Sequence, residues 1–86
     1  DAPRAGVRGR EIGFDLPRDG LVSVGVFDVS GRLVRSLLQG VTRGPGAQVV
    51  EWNGRDDQSR TVPPGTYFIR LETNAGSRAA KVTRLR

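Results

Sequence analysis

Apolar residues recur at every second position along much of this chain, which is the period of a β-strand rather than of a helix. The alternation runs through residues 12–16, 22–26 and 67–71, with polar residues or glycine at most of the intervening positions. Successive side chains of a strand point to opposite faces, so each of these segments has one face that can be buried. The period therefore predicts a set of half-buried strands.

Turn-forming residues divide the chain at short intervals. The 86 residues include 12 Gly and 5 Pro, and these fall mainly between the apolar segments, at residues 17–20, 30–31, 44–46, 63–65 and 74–76. Short strands separated by regularly spaced turns are typical of a two-sheet sandwich. We predict an all-β fold, a small antiparallel immunoglobulin-like β-sandwich of about seven strands.

The segment at residues 32–39 is ambiguous by spacing alone. Its apolar residues are Leu33, Val34, Leu37 and Leu38, a spacing that also fits one face of a short helix. The segment is short and begins directly after a turn, and both features favour a strand.

The chain is long enough for one domain with a thin core. Residues 10–86 carry the strand pattern and form the predicted domain, whereas residues 1–9 lack a period and are predicted to be an N-terminal arm or linker. The buried faces predict a core formed by Phe14, Val24, Val26, Trp52, Tyr67, Ile69, Leu71 and Val82. The predicted turn glycines are Gly31, Gly54 and Gly65.

The register of the last predicted hairpin follows from the same pattern. If Ile69 and Leu71 face the core, Val82 and Ala80 are expected opposite them, on the same face. A slip of one residue would place the Lys81 ammonium inside, at a cost of several kcal/mol. The turn is therefore expected to contain an even number of residues.

Histidine and cysteine are both absent from the sequence. Their absence removes the most common general base, the thiolate nucleophile and the most common transition-metal ligand, so we predict a protein that is not an enzyme and has no cofactor. Asp28, Asn53, Asp56 and Asp57 offer oxygen ligands of the kind that Ca²⁺ prefers. Arginines lie in the same stretch, and Asp and Asn commonly cap turns through local hydrogen bonds. We favour the turn interpretation over a metal site.

The charge of the chain is positive but dispersed. Lys and Arg number 14 against 9 Asp and Glu, which gives a formal net charge of +5. Nucleic-acid-binding proteins usually concentrate their cations on one face or helix, whereas here they are scattered, so no nucleic-acid partner is expected. No apolar run approaches the roughly 18 residues of a membrane span.

Two stretches of the sequence are similar to a known domain family. They read FDLPRDGLVSVGVFDVSGRLVRSLL at residues 14–38 and VVEWNGRDDQSRTVPPGTYFIRL at residues 49–71. The chain resembles the FlgD-type immunoglobulin-like domain, named after the flagellar hook-capping protein, over residues 11–86. The same pattern recurs at the C-terminus of many secreted bacterial proteins, including type IX secretion sorting domains. The resemblance implies a β-sandwich without catalytic residues.

Two positions depart from the residues that members of this family often carry. Asn53 follows Trp52 where Asp is frequent, and Ser59 follows the Asp56-Asp57 pair where Gly is frequent. Sorting domains also often begin with a Pro-Asn-Pro-Phe-like stretch, and residues 4–10 occupy that place here.

The resemblance leads to a functional hypothesis. It implies a non-enzymatic extracellular module of a secreted bacterial protein, located outside the cell or on its surface, that acts in C-terminal sorting, cell-surface attachment or protein–protein docking. Its partners would be proteins of the secretion or surface machinery. Phe68, which points away from the core beside Arg70, is a predicted partner contact. Carbohydrate stacking on the aromatic residues is a less favoured alternative.

The alternative hypothesis is a structural subunit that self-assembles into an extracellular homopolymer or filament. Edge strands carry unpaired backbone groups that recruit other strands. The N-terminal arm, through Arg4, Val7 and Arg8, is expected to pair either with an edge of its own sandwich or with a neighbouring copy. We predict contact with another chain.

Overall fold

The computed structural model describes residues 5–84, and it consists of seven β-strands in two antiparallel sheets. The first sheet has the strand order β1-β2-β5 and the second the order β4-β3-β6-β7. This arrangement confirms the predicted all-β sandwich. The strands are β1 (Ala5–Arg8), β2 (Glu11–Leu16), β3 (Gly20–Phe27), β4 (Leu33–Arg43), β5 (Gly46–Glu51), β6 (Gly65–Thr73) and β7 (Gly76–Arg84).

The N-terminal segment differs from its prediction as a separate arm. Strand β1 pairs antiparallel with β2 inside the same chain, with Ala5 opposite Phe14 and Val7 opposite Ile12. Ala5 and Val7 pack half-buried against the core. Two apolar residues are too few to reveal a period, which is why the sequence pattern missed this strand. Arg4, also a predicted contact residue, lies outside the described part of the chain.

The core fills the space between the two sheets. Of the eight predicted core residues, seven are buried, and Val82 is half-buried because β7 is an edge strand. Val62 joins the core from the irregular segment between β5 and β6, where no alternation marks it. The buried apolar residues are Ile12, Phe14, Leu16, Val22, Val24, Val26, Trp52, Val62, Tyr67, Ile69 and Leu71.

Strand β4 explains the helix-like spacing in its sequence. It is a strand, as predicted, but three register shifts interrupt its pairing with β3, and at each shift β4 contributes one residue more than β3. Leu37 is the additional residue of the middle shift, between Ser36 and Leu38. A bulge of this kind redirects the following side chain, so that the neighbouring Leu37 and Leu38 both pack against the core.

The predicted register of the last hairpin is wrong by two residues. Ala80 lies opposite Ile69, and Val82 lies opposite Tyr67. The loop contains two residues, 74 and 75, which is an even number as expected. A shift of two preserves the side-chain faces, and Lys81 is exposed.

Within residues 5–84 there is no helix that could cross a membrane.

Candidate interaction surface

Two turns in the molecule share one local geometry built around an aspartate. In the first, Asp28 Oδ1 accepts hydrogen bonds from the backbone amides of Ser30 and Arg32, both at 3.0 Å, and from the Ser30 hydroxyl at 2.6 Å. In the second, Asp56 Oδ1 accepts from the backbone amides of Gln58 and Arg60, both at 2.9 Å. Each aspartate is therefore the organising side chain of its own turn.

The arginine four residues after each aspartate completes the turn. Arg60 Nε lies 2.9 Å from Asp56 Oδ2, whereas Arg32 Nε lies 3.7 Å from Asp28 Oδ2. The hydrogen bond from the Ser30 hydroxyl is the main cause that lowers the pKa of Asp28. The backbone amide of Arg60 is the main cause that lowers the pKa of Asp56. Both carboxylates are stabilised in their charged form.

The second turn docks on the outer edge of β4. The Asp57 amide donates to the Val34 carbonyl at 3.1 Å, and the Ser36 amide donates to Asp57 Oδ1 at 3.0 Å. Arg35 Nη1 also donates to the Asp56 carbonyl at 3.1 Å. These contacts cover part of an edge strand with a loop.

The oxygen atoms considered for Ca²⁺ are thus engaged in the protein's own hydrogen bonds. Asn53 Oδ1 accepts from the Arg55 amide at 3.1 Å, in addition to the bonds made by Asp28, Asp56 and Asp57. Among residues 5–84, no group of three or more acidic side chains is arranged to hold a metal ion. The geometry is that of the predicted structural turns.

The three predicted turn glycines all have positive φ: 88° at Gly31, 78° at Gly54 and 146° at Gly65. Gly54 also has a steric reason to lack a side chain, because a Cβ there would occupy the space of the Arg84 guanidinium group. That guanidinium lies 5.6 Å from the centre of the Trp52 ring. Its Nε is buried without a hydrogen-bond partner among the described residues.

Trp52 and Tyr67, the two largest aromatic side chains, are part of the buried core. Trp52 and Tyr67 pack edge to face with their ring centres 5.4 Å apart. Trp52 Nε1 donates to the Arg55 carbonyl at 2.9 Å, and the Tyr67 hydroxyl donates to the Pro63 carbonyl at 2.6 Å. Both rings are buried, so neither is a platform on which a sugar could stack.

The predicted contact residues do not form a single surface. Val7 packs against the core and Arg8 is exposed at the end of β1, in the three-stranded sheet. Phe68 and Arg70 are exposed on β6, in the four-stranded sheet. Only Phe68 and Arg70 share a face, which is the outer face of the four-stranded sheet.

The outer face also carries two apolar residues that the sequence did not single out. Phe27 lies opposite Phe68 across β3 and β6, and Leu33 lies opposite Phe27 across β3 and β4. Phe68 is 37% exposed and Leu33 is 49% exposed. We call Leu33, Phe27 and Phe68 the outer row. The alternation of residues 22–26 could have extended to Phe27, but Leu33 faces it only because of the third register shift in β4.

The family described as FlgD Ig-like domain matches residues 6–77 of the chain. Among solved structures, one titled as the crystal structure of FlgD from P. aeruginosa superposes with a TM-score of 0.68 at 24% sequence identity. The superposition covers 87% of this chain and 60% of that one, so this chain spans about three fifths of the length of its structural relative. The search of the curated proteins found no match.

Proposed function

This chain belongs to the FlgD Ig-like domain family, and we propose that it is a non-enzymatic extracellular module that docks other proteins as part of a secreted bacterial protein. The proposal rests on the outer row, an apolar surface that crosses three strands and whose Leu33 and Phe68 remain exposed. Exposed apolar patches of this kind mark interaction sites in folded proteins.

The chemistry of the acidic residues supports a binding role rather than a catalytic one. Asp28 and Asp56 each accept several hydrogen bonds from their own turns, and Asp57 bridges to β4. The pKa values of Asp28 and Asp56 are lowered, whereas a carboxylic acid that acts as a catalyst near neutral pH needs a raised pKa.

The docking proposed here would serve sorting to, or attachment at, the cell surface. The test is a fusion of residues 1–86 to the C-terminus of a periplasmic reporter, expressed in a bacterium with type IX secretion. We expect the reporter to become accessible to protease added outside the cells. The same fusion carrying Trp52→Ala, which removes a central core side chain, is the matched control for folding.

A folded fusion that stays in the periplasm would overturn the sorting role. Docking without sorting would then be examined by crosslinking the purified module to the surface fraction of the same cells, with Phe68→Thr as the variant expected to lose the crosslink.

The second candidate is self-assembly, and strand β5 favours it. This edge strand pairs with β2 in an uninterrupted register from Glu11 to Leu16, and its Val49 is 57% exposed. A regular edge accepts an added strand more readily than a bulged one. Because β1 is paired with β2 and lies beside β7 within the same chain, an assembly would use the free edge of β5.

Light scattering between micromolar and millimolar concentrations tests this second candidate. A mass that rises with concentration and falls back to the monomer in the variant Val49→Lys would support it. A monomer at every concentration would exclude it.

A further inference from the structure

We infer that the outer row binds an acidic segment of another protein that carries aromatic or aliphatic side chains. This inference rests on the proposed docking function and specifies its surface and the chemistry of the partner. The apolar row and the charges that flank it together support the inference.

The row is continuous across the sheet. Directly paired residues of neighbouring strands have their Cβ atoms about 4.5–5.5 Å apart, so Leu33, Phe27 and Phe68 are consecutive neighbours on one face. Val29, in the turn that follows β3, is 74% exposed close to the same end of the sheet. A partner has several apolar side chains to cover here.

Gly25 shapes the surface beside the row. A Cβ at this position would lie 3.1 Å from the Phe27 ring and 3.2 Å from a Leu33 methyl group. Both side chains therefore lie over the backbone of Gly25, and we call Gly25 with the two side chains that cover it the ledge. An aromatic side chain that covers a glycine also stabilises the sheet, but this role leaves the outward side of the ledge exposed.

Two cations flank the ledge. Lys81 lies opposite Phe68 on β7, and Arg70 lies opposite Gly25, two residues along β6 from Phe68. Both side chains are exposed, and neither forms an ion pair with the described residues. Carboxylates placed beside an apolar anchor would complement both charges.

The charges also argue against a second copy of the chain as the occupant. A two-fold symmetric contact places the same patch on both subunits, so it would bring two copies of Arg70 and Lys81 into one interface. The net charge of +5 on each chain adds to this repulsion.

Peptide selection tests the inference and does not require an identified partner. The probe is a phage library of random 12-residue peptides, selected on immobilised residues 1–86. We expect enrichment of peptides that combine Asp or Glu with Phe, Leu, Trp or Tyr. The enriched peptide is then synthesised, and its affinity is measured at low and at moderate salt. The affinity should be lower at moderate salt, because salt screens the attraction between the charges.

Matched variants locate the binding surface. Phe68→Thr keeps a residue that favours strands and should weaken binding about tenfold or more, whereas Val49→Thr, on the other sheet, should not change it. Lys81→Glu and Arg70→Glu should weaken binding, and Arg18→Glu, an exposed charge in the turn between β2 and β3, is their control. Amide NMR shifts should concentrate on the ledge and the strands around it.

The outcomes separate this inference from the docking function on which it rests. An enriched peptide that binds Phe68→Thr as well as the parent would overturn the outer row while leaving docking intact. A basic consensus would overturn the partner chemistry. Failure to enrich any consensus would overturn both the binding surface and the partner chemistry. A dimer that Phe68→Thr dissociates would overturn the acidic partner, because the occupant of the outer row would then be a second copy.

Discussion

The two aspartate turns follow the same local rule but have different relations to the rest of the molecule. Each aspartate accepts the amides two and four residues ahead and pairs with the arginine four residues ahead. The residue just before that arginine has positive φ in both turns, 88° at Gly31 and 64° at Ser59. The first turn closes a hairpin between consecutive strands, whereas the second lies against β4 and holds an irregular segment to the core.

The contacts that surround each turn determine how much that turn contributes to the rest of the fold. Trp52, which precedes the second turn, is buried, and its indole donates to the Arg55 carbonyl. Phe27, the aromatic residue that precedes the first turn, is only half-buried and lies on the outer face of its sheet. Breaking the second turn should therefore disturb the sandwich, and breaking the first should disturb only a hairpin end.

The largest effect is expected for Trp52→Ala. The substitution leaves a large cavity between the sheets and removes the indole bond to the second turn, so the free energy of unfolding should fall by about 3–5 kcal/mol. A domain of this size has a total stability of about 5 kcal/mol, and the variant should be largely unfolded at room temperature. The measurement is urea denaturation followed by circular dichroism; a midpoint close to that of the parent would contradict the core position of Trp52.

Removing either aspartate should lower the stability of the protein by less than Trp52→Ala does, and by different amounts at the two positions. Asp56→Ala should lower the melting temperature more than Asp28→Ala, because loss of the second turn also releases the bonds of Asp57 and of the Asp56 carbonyl to residues of β4. Parallel thermal melts of the two variants provide the comparison. Equal losses would show that docking on β4 adds nothing to the local turn.

The pH dependence of stability should follow from the same carboxylates. The folded pKa values of Asp28 and Asp56 are lowered from 3.8, so each contributes stability that is complete above the unfolded pKa. This contribution is lost as pH falls from about 5 through the lowered folded values. Denaturation midpoints measured from pH 6 to pH 2 should decline below pH 5, and less steeply in the variant with both aspartates changed to Ala.

The smallest effect concerns the residue before the arginine in each of the two turns. A side chain at positive φ costs about 1–2 kcal/mol, so Gly31→Ser should destabilise the protein by about 1 kcal/mol. Ser59→Gly should stabilise it by less than about 1 kcal/mol, because the greater freedom of glycine in the unfolded chain offsets part of the gain. If neither Gly31→Ser nor Ser59→Gly changes the free energy of unfolding, the backbone at Ser59 is not strained.

Alternating apolar residues were enough to predict the sandwich and most of its core, since burial on one face imposes a period of two. The pattern could not reveal β1, whose two apolar residues are Ala5 and Val7, or Val62, which lies outside any strand. It also could not predict the register shifts that place Leu33 beside Phe27, because bulges depend on the pairing strand as well as on the local sequence.

Part of the candidate surface could be predicted from the same alternating pattern. Phe68 was recognisable because it occupies the polar side of an alternating strand, and Arg70 follows it on that side. The continuity of the row is a property of three strands brought together by the fold. The repeated spacing of Asp28 with Arg32 and of Asp56 with Arg60 was a readable signal for the two turns.

The order of strand pairing has a consequence for the time at which the domain can form. The hairpins β1–β2, β3–β4 and β6–β7 join neighbours in the chain, but each sheet also needs a distant partner. Strand β2 pairs with residues 46–51, and β3 pairs with residues 68–73. Folding of such non-local β topologies takes milliseconds to seconds. During synthesis from the N-terminus, the three-stranded sheet can form only after residue 51 has emerged, and the four-stranded sheet only after β7 has emerged. The two sheets can therefore pack together only when nearly all of the domain has been synthesised.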